Sequence, residues 1–276
     1  MPSRKIAAIL DGMPASDGAG VSLLRVIGNP QLDFIDPFLM LDEFRNDDPD
    51  AYVAGFPDHP HRGFETVSYM KVGKMRHRDS AGNEGLIVDG GVQWMTAGRG
   101  VIHSEMPEQS DGLLWGYQLW VNLPAAQKMV PPRYQDIAPE DIPDVRENGA
   151  RVKIIAGEWN GHAGGCETSW PVTFLDVQLG VNGRFNHTVE AGHTALIFAY
   201  EGAVSDGQKT VMHQQIAVLG PEGDIDLVAG PQGAGFLVLT GKPIGEPVAK
   251  MGPFVMNTRE ELFQAAEDFR AGRFGT

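Results

Sequence analysis

The sequence predicts an all-β protein made of two similar β domains, with one helix at the C-terminal end. Runs rich in β-branched and aromatic residues, roughly five to nine residues long, recur along the chain and end at turns. Glycine and proline, 35 and 19 of the 276 residues, stand between these runs. Many short strands with glycine-rich turns are typical of a sandwich or barrel, and a jelly roll is one such fold.

The predicted strands fall into two blocks, separated by a stretch rich in proline and charge. In chain order they are VSLLRVI, HRGFETVSYMKVG, GLIVDGGVQWMTAG, LLWGYQLWVNL, VKIIAGEW, VTFLDVQLG, TALIFAYEGAV, QQIAVLG and GFLVLTG. The intervening residues 123–150 show no period, so we predict that they connect two domains, 1–122 and 151–276. Because the second block repeats the rhythm of the first, we expect two domains of similar fold in tandem.

The predicted helix lies in the segment NTREELFQAAEDFRAG, close to the C-terminus. Thr258 and Glu261 have the spacing of a capping box, which marks a helix start. Leu262, Ala266 and Phe269 would then lie on one apolar face. A terminal helix of this kind is expected to pack on a neighbouring sheet and to carry no chemistry.

Charge and composition exclude several classes of protein. A net charge of −14 and a pI near 4.9 argue against direct binding of nucleic acid, because proteins that bind phosphate backbones concentrate Lys and Arg. The apolar run IAAIL is too short for a signal peptide, and no segment reaches the length of a membrane span. The single cysteine, Cys166, can form no intrachain disulfide, so we expect a soluble, cytoplasmic protein in which it is a structural thiol.

The segment FPDHPHRGF contains His59 and His61, separated by Pro60. In a strand, residues i and i+2 point to the same face, and the proline favours an extended backbone at His59. Two imidazoles side by side inside a barrel would need a partner, because buried polar groups do. A metal ion is the simplest partner that satisfies both.

A second pair, His103 and Glu105 in GVIHSEMP, repeats this spacing. If the two strands are neighbours, three imidazoles and one carboxylate converge on one divalent transition metal. Fe(II), Mn(II), Ni(II), Cu(II) and Zn(II) all suit such a set, and affinity order alone would favour copper or zinc, so the ligand types do not identify the native metal. Surface or capping roles are expected for the remaining histidines, which are His77, His162, His187, His193 and His213. Of these, His77 in MRHRDSAG follows a strand that leaves the site, so it could also flank the mouth of a pocket.

Several long motifs resemble the pirin family of bicupins. They are HPHRGFETVSYM, DSAGNEG, VQWMTAGRGVIHSEMP, QLWVNLP and GPFVMNTREELFQAAEDFRAGRFG, and the resemblance covers nearly the whole chain. It implies two cupin jelly-roll barrels, with His59, His61, His103 and Glu105 as the metal ligands of the first. The second barrel contains no His-x-His, so we expect it to be metal-free and to serve packing and stability.

Two further polar residues are candidates for supporting roles. The wider cupin pattern places a carboxylate shortly after His-x-His, and Glu65 has the same strand parity as His59 and His61. The resemblance favours Glu105 as the ligand, which leaves Glu65 beside the ligands or in the pocket. Gln118, the polar residue within LLWGYQLWV, could hydrogen-bond a ligand or the substrate, or simply line the barrel.

The resemblance implies a dioxygenase that opens flavonols such as quercetin with O2, because pirin relatives include quercetin 2,3-dioxygenases. Glu105 would act both as a ligand and as the base that takes the flavonol proton. The alternative is a metal-binding regulatory protein that acts on a transcription factor or a metabolic enzyme through protein contacts. A third possibility is hydrolytic or isomerase chemistry on another small enolisable compound.

Overall fold

The structure is a computed structural model that describes residues 3–274, and within that range it consists of strands and a single α-helix. Strands β1 to β12 are Ile6–Asp11, Met13–Asp17, Val21–Ile27, Phe38–Asn46, Phe56–His61, Phe64–Val72, Met75–Asp79, Glu84–Ile87, Val92–Thr96, Val101–Pro107, Leu114–Asn122 and Arg133–Ile137. Strands β13 to β24 are Asp144–Glu147, Ala150–Ala156, Glu158–Trp159, His162–Ala163, Val172–Leu179, Arg184–His187, Thr194–Ser205, Thr210–Met212, Gln215–Leu219, Ile225–Gly241, Ala249–Met251 and Phe254–Met256. The helix α1 is Arg259–Arg270, and the 3-10 helices are Pro49–Ala51, Ala125–Gln127 and Pro139–Asp141.

The chain forms two compact units, and neither unit is contiguous in sequence. We call them the histidine unit and the companion unit. The histidine unit comprises residues 14–28, 38–139 and 244–274. The companion unit comprises residues 3–13, 29–37 and 140–243.

The two ends of the chain belong to different units. Strand β1 pairs with β21 of the companion unit, whereas α1 packs on β23 and β24 of the histidine unit. The stretch 123–150 is also more than a connection, because β12 joins the sheet of the histidine unit through β9 and β13 pairs with β14 in the companion unit. Strand pairing between segments far apart in sequence therefore defines the units.

The histidine unit is built from two antiparallel sheets. A seven-stranded sheet has the order β12-β9-β6-β11-β4-β3-β2, and a four-stranded sheet has the order β5-β10-β7-β8. The predicted strand HRGFETVSYMKVG is in fact two strands, one in each sheet, because the chain bends at Gly63, whose φ is 92°. This bend carries the His-x-His motif away from β6 and into the smaller sheet.

The companion unit contains one large sheet, of order β1-β21-β19-β22-β17-β14-β13, with β18 paired to β22 and β20 paired to β19. Its interior is filled by apolar side chains. Trp159, Phe185 and Phe236 are among the buried aromatic residues of this core. The ring centroids of Phe185 and Phe236 lie 5.5 Å apart in an edge-to-face contact that is favourable for aromatic pairs.

The helix α1 begins with the predicted capping box. The hydroxyl of Thr258 accepts a hydrogen bond from the backbone N–H of Glu261, and the Glu261 carboxylate accepts one from the N–H of Thr258. Its buried face is centred on Leu262 and Ala265, while Phe269, predicted on the same face, is 39% exposed. No helix within residues 3–274 is long and apolar enough to cross a membrane.

Candidate metal centre

Antiparallel pairing of β5 with β10 brings three histidines together. His103 lies directly opposite His59, and His61 is two residues further along β5. The ring centroids are 4.4 Å apart for His59 and His103, and 4.9 Å apart for His61 and His103. One ring nitrogen from each of the three lies within 4.8 Å of the others. The three imidazoles could therefore hold one metal ion.

The environment of His61 and His103 favours the neutral form that metal ligands need. Burial is the main cause that lowers the pKa of His61 and of His103 well below the usual 6.5. The Nε2 atoms of His59 and His61 face each other at 3.0 Å, and Nε2 of His103 is buried without a hydrogen-bond partner. Ring nitrogens that converge at these distances can share a cation, so a divalent metal fits this donor set.

Glu105 lies on the same strand as His103 but is held by different neighbours. One carboxylate oxygen is 2.5 Å from the hydroxyl of Ser68, and the other accepts from the side-chain amide of Gln118 at 2.8 Å. The Ser68 hydroxyl is also 2.7 Å from the Gln118 carbonyl oxygen, and since it has one proton it donates to one acceptor at a time. The carboxylate is thus outside the group of three converging imidazoles, at the wall of the cavity they border.

Glu65 does not lie beside these residues, contrary to the sequence-based expectation. On β6 it has the opposite parity to Ser68, so it points to the other face of the seven-stranded sheet, where it accepts a hydrogen bond from Thr96 at 2.7 Å. It is not among the residues that line the cavity. Strand alternation is not preserved through the bend at Gly63, so equal parity in the sequence does not put Glu65 on the same face as His59 and His61.

His77 is a buried residue of this site, although the sequence predicted it at the surface or at the mouth of a pocket. It is 1% exposed, faces Glu105 across the β7–β10 pairing, and its Nδ1 lies 3.3 Å from Nδ1 of His103. Burial is the main cause that lowers its pKa, although Glu105 opposes that effect. The signal was the alternation in MRHRD, in which Met75 and His77 point inward between outward arginines.

Among the other histidines, His162 and His213 are exposed and His193 is half-buried, as expected. His187 was also expected at the surface, but it is only 9% exposed, and burial lowers its pKa to about 4. It packs beside Phe185 in the companion unit, with ring centroids 6.4 Å apart. That this unit binds no metal stays a prediction.

A cavity of about 730 Å³ opens beside the histidines. This volume is within the range of about 300–1,000 Å³ that is usual for small-molecule sites. His59, His61 and Glu105 border it on one side, and the apolar residues around it are Leu23, Leu39, Met40, Phe44, Phe56, Met75 and Trp120. A largely apolar cavity bordered by imidazoles suits a flat, aromatic ligand whose reactive polar edge lies at the histidines.

Comparisons with known proteins identify relatives of the whole chain. A family model described as Pirin matches residues 20–121, and one described as Pirin C-terminal cupin domain matches residues 174–275. A Pseudomonas aeruginosa protein, whose name provisionally assigns it quercetin 2,3-dioxygenase activity, is 50% identical over 280 residues, covering 98% of this chain and 97% of the relative. Human pirin is 42% identical over 280 residues, covering 99% and 94% of the two chains.

Solved structures include a close match in fold. The crystal structure of a quercetin 2,3-dioxygenase from Acinetobacter baumannii superposes with a TM-score of 0.93 at 36% identity, covering 100% of this chain and 99% of that one. The strand content, the C-terminal helix and the two matching domain models confirm the predicted fold class of two cupin domains.

Proposed function

The chain belongs to the pirin family of bicupins, and on that premise we propose that it is a metal-dependent dioxygenase that opens flavonols such as quercetin with O2. The observation that carries this proposal is the convergence of three imidazoles beside a cavity large enough for an aromatic molecule. The names of the Pseudomonas and Acinetobacter relatives support the same reaction. A small aromatic substrate and O2 are then its reactants, and the cytoplasm is its expected location.

His59, His61 and His103 would hold the metal, and we expect Fe(II), with Mn, Ni, Cu and Zn as the alternatives. When bound there, the metal would supply the Lewis-acid and O2 chemistry that opening of a flavonol requires. Glu105 is proposed as a further ligand or, from the position described above, as the group that accepts the proton of the flavonol hydroxyl. Three neutral ligands leave the positive charge of the metal largely uncompensated, which favours an anionic substrate.

Ser68 and Gln118 fix the position of the proposed base. Because each carboxylate oxygen of Glu105 has one hydrogen-bonding neighbour, the carboxylate keeps a single orientation at the cavity wall. An oriented carboxylate within reach of the substrate hydroxyl is what general-base catalysis requires. Gln118 thereby has the supporting role considered for it from the sequence, through its contact with Glu105.

The apolar walls would hold the flat rings of the substrate and exclude water. Trp120 is packed against His61 and Phe64, with ring centroids 5.2 Å and 4.4 Å away. Packing on two sides restricts the indole, so this wall of the cavity is rigid. A rigid apolar wall next to the ligands orients a planar substrate with its polar edge toward the imidazoles.

The experiment compares Glu105→Gln with Glu65→Gln, the same chemical change on the other face of the seven-stranded sheet. Protein purified without oxygen is loaded with Fe, Mn, Ni or Cu, and metal content, O2 uptake on quercetin and carbon monoxide release are measured. We expect Glu105→Gln to keep its metal through the three histidines and to lose turnover by about a hundredfold or more. Glu65→Gln should keep both.

The outcomes separate the proposal from its alternatives. Unchanged turnover in Glu105→Gln would remove the proton-accepting role of this residue. Tight metal binding without O2 uptake, for every metal tested, would refute the dioxygenase and favour the regulatory protein that acts through protein partners. His61→Ala tests the centre itself, because loss of one of three converging imidazoles should abolish stoichiometric metal binding.

A further inference from the structure

A row of polar side chains crosses the seven-stranded sheet on the face that borders the cavity. Arg25 on β3 is paired in register with Asp42 on β4, Asp42 with Gln118 on β11, and Gln118 with Ser68 on β6. All four line the cavity. Gln118 and Ser68 hold Glu105, but Arg25 and Asp42 have no part in the proposed reaction.

Arg25 and Asp42 form a rigid pair. The guanidinium donates from Nε to one carboxylate oxygen of Asp42 at 3.0 Å and from Nη2 to the other at 2.7 Å. Such two-point contacts fix both planes. Nη2 also reaches Asp17 at 2.7 Å, nearer to solvent. Each oxygen of Asp42 receives one of these hydrogen bonds, so each keeps a lone pair that can accept another.

The charges at this place favour a neutral donor over an anion. Arg25 contributes one positive charge, and Asp42 and Asp17 contribute two negative charges, which leaves the group with a net charge of about −1. Lys250 and Asp58 also line the cavity, and they carry one charge of each sign. Burial raises the pKa of Asp42 to about 6, but the two-point contact with the Arg25 guanidinium favours the ionised carboxylate. Asp42 is therefore suited to accept from a hydroxyl and would repel a carboxylate.

The separation of the two polar places matches an elongated aromatic molecule. Asp42 is two strands away from Ser68, which touches Glu105, and neighbouring strands are about 4.8 Å apart, so the span is roughly 10 Å. Leu39, Met40 and Phe44 provide apolar lining beside it. A flat molecule with its enolisable edge at the histidines could place a second ring beside Asp42.

We propose that Asp42, held in place by Arg25, accepts a hydrogen bond from a phenolic hydroxyl on the far ring of the substrate. This assignment rests on the proposed function, since it takes the enolisable end of the ligand to be at the histidines. It makes Asp42 a specificity residue that selects aromatic substrates hydroxylated on the ring remote from the cleavage site.

The test is equilibrium binding under anaerobic conditions, followed by the absorbance change of the flavonol, so that turnover is not needed. The ligands are galangin, kaempferol and quercetin, which carry no, one and two hydroxyl groups on the pendant ring. The metal-loaded wild type is expected to bind quercetin about tenfold or more tightly than galangin, because the added bond is made to a charged acceptor. Asp42→Asn is expected to bind all three alike, with galangin affinity unchanged.

The control is Asp144→Asn, which removes the carboxylate partner of Arg151 from a comparable cross-strand ion pair in the companion unit. It should keep the full preference for quercetin. A wild-type protein without the preference, or an Asp42→Asn variant that retains it, would overturn the assignment.

Two further arms keep the assignment separable from folding and from catalysis. If Asp42→Asn does not fold, the test is binding of the wild type to quercetin whose pendant-ring hydroxyls are methylated. These methyl ethers should bind as weakly as galangin does. If they bind as tightly as quercetin, the assignment is overturned. A preference for hydroxylated ligands without any O2 uptake would refute the dioxygenase and support the Asp42 contact. O2 uptake without a preference for hydroxylated ligands would support the dioxygenase and refute the Asp42 contact.

Discussion

Replacement of Lys128 by Met should destabilise the histidine unit by about 3 kcal/mol. The ammonium group is 1% exposed and donates to the carbonyl oxygens of Gly63 and Val255, at 2.7 Å and 3.0 Å, and to the side-chain oxygen of Asn122 at 2.7 Å. Met fills similar space without donating, which leaves three buried acceptors unpaired at about 1–3 kcal/mol each. The substitution also removes a buried charge, and this offsets about 3 kcal/mol of the loss. The figure follows from the pKa of Lys128, which burial lowers from 10.5 to about 8.

The assay is thermal unfolding of the metal-free protein, with Lys74→Met as the control because Lys74 is exposed in the same unit. For a unit of this size each kcal/mol shifts Tm by roughly 2–4 °C, so we expect a loss of about 6–12 °C for Lys128→Met and almost none for the control. A loss as small as that of Lys74→Met would refute the reasoning, because the three acceptors would then have found other partners.

The pH dependence of the same comparison has a definite sign. Burial lowers the pKa of Lys128 to about 8, against the opposing effect of Glu246 and Glu261, whereas an exposed lysine titrates near 10.4. Between pH 8 and about 10 the unfolded chain therefore holds more protons than the folded one. The free energy of unfolding of the wild type should rise relative to that of Lys128→Met across this window.

Two further predictions concern the bend after the His-x-His motif and the one cysteine. Gly63→Ala should lower Tm far more than Gly82→Ala. Both glycines have φ near +90°, but a Cβ at Gly63 would also clash with the carbonyl oxygen of Val255, whereas a Cβ at Gly82 would meet open space. Equal losses of Tm in the two variants would contradict this reasoning. Burial raises the pKa of Cys166 to about 12, so iodoacetamide at pH 8 should modify it only after unfolding in guanidinium, and rapid alkylation of the folded protein would show that the thiol is accessible.

Strands with one clear apolar pattern could be predicted from the sequence. VSLLRVI corresponds to β3 and VTFLDVQLG to β17, because both runs are rich in β-branched residues and end at turns. Strand β4, Phe38–Asn46, was missed. Its first seven residues are all buried and include Asp42 and Glu43, so it shows no alternation of apolar and polar positions, and it contains acidic residues that strands usually lack.

The candidate site divides in the same way between what local pattern determines and what pairing determines. His59 and His61 are two residues apart, and the pair of His103 and Glu105 has the same spacing. This was enough to predict that three imidazoles meet if the two strands are neighbours. His77 and Glu65 were misplaced because each depends on another fact, the position of β7 beside β10 and the bend at Gly63. Register between distant strands and the conformation of one glycine are not readable from a single sequence.

The strand that carries His59 and His61 also depends on residues about two hundred positions away in the sequence. Arg62, directly after the second histidine of the motif, donates to Asp268 of α1 at 2.7 Å, and its backbone exchanges hydrogen bonds with Pro253 and Val255. Lys128 binds the next carbonyl, that of Gly63, together with that of Val255. The C-terminal segment therefore fixes the backbone that carries His61. A short motif identifies the metal centre, but long-range contacts give its imidazoles their geometry, and for this reason the helix that has no chemistry of its own still belongs to the same unit as the histidines.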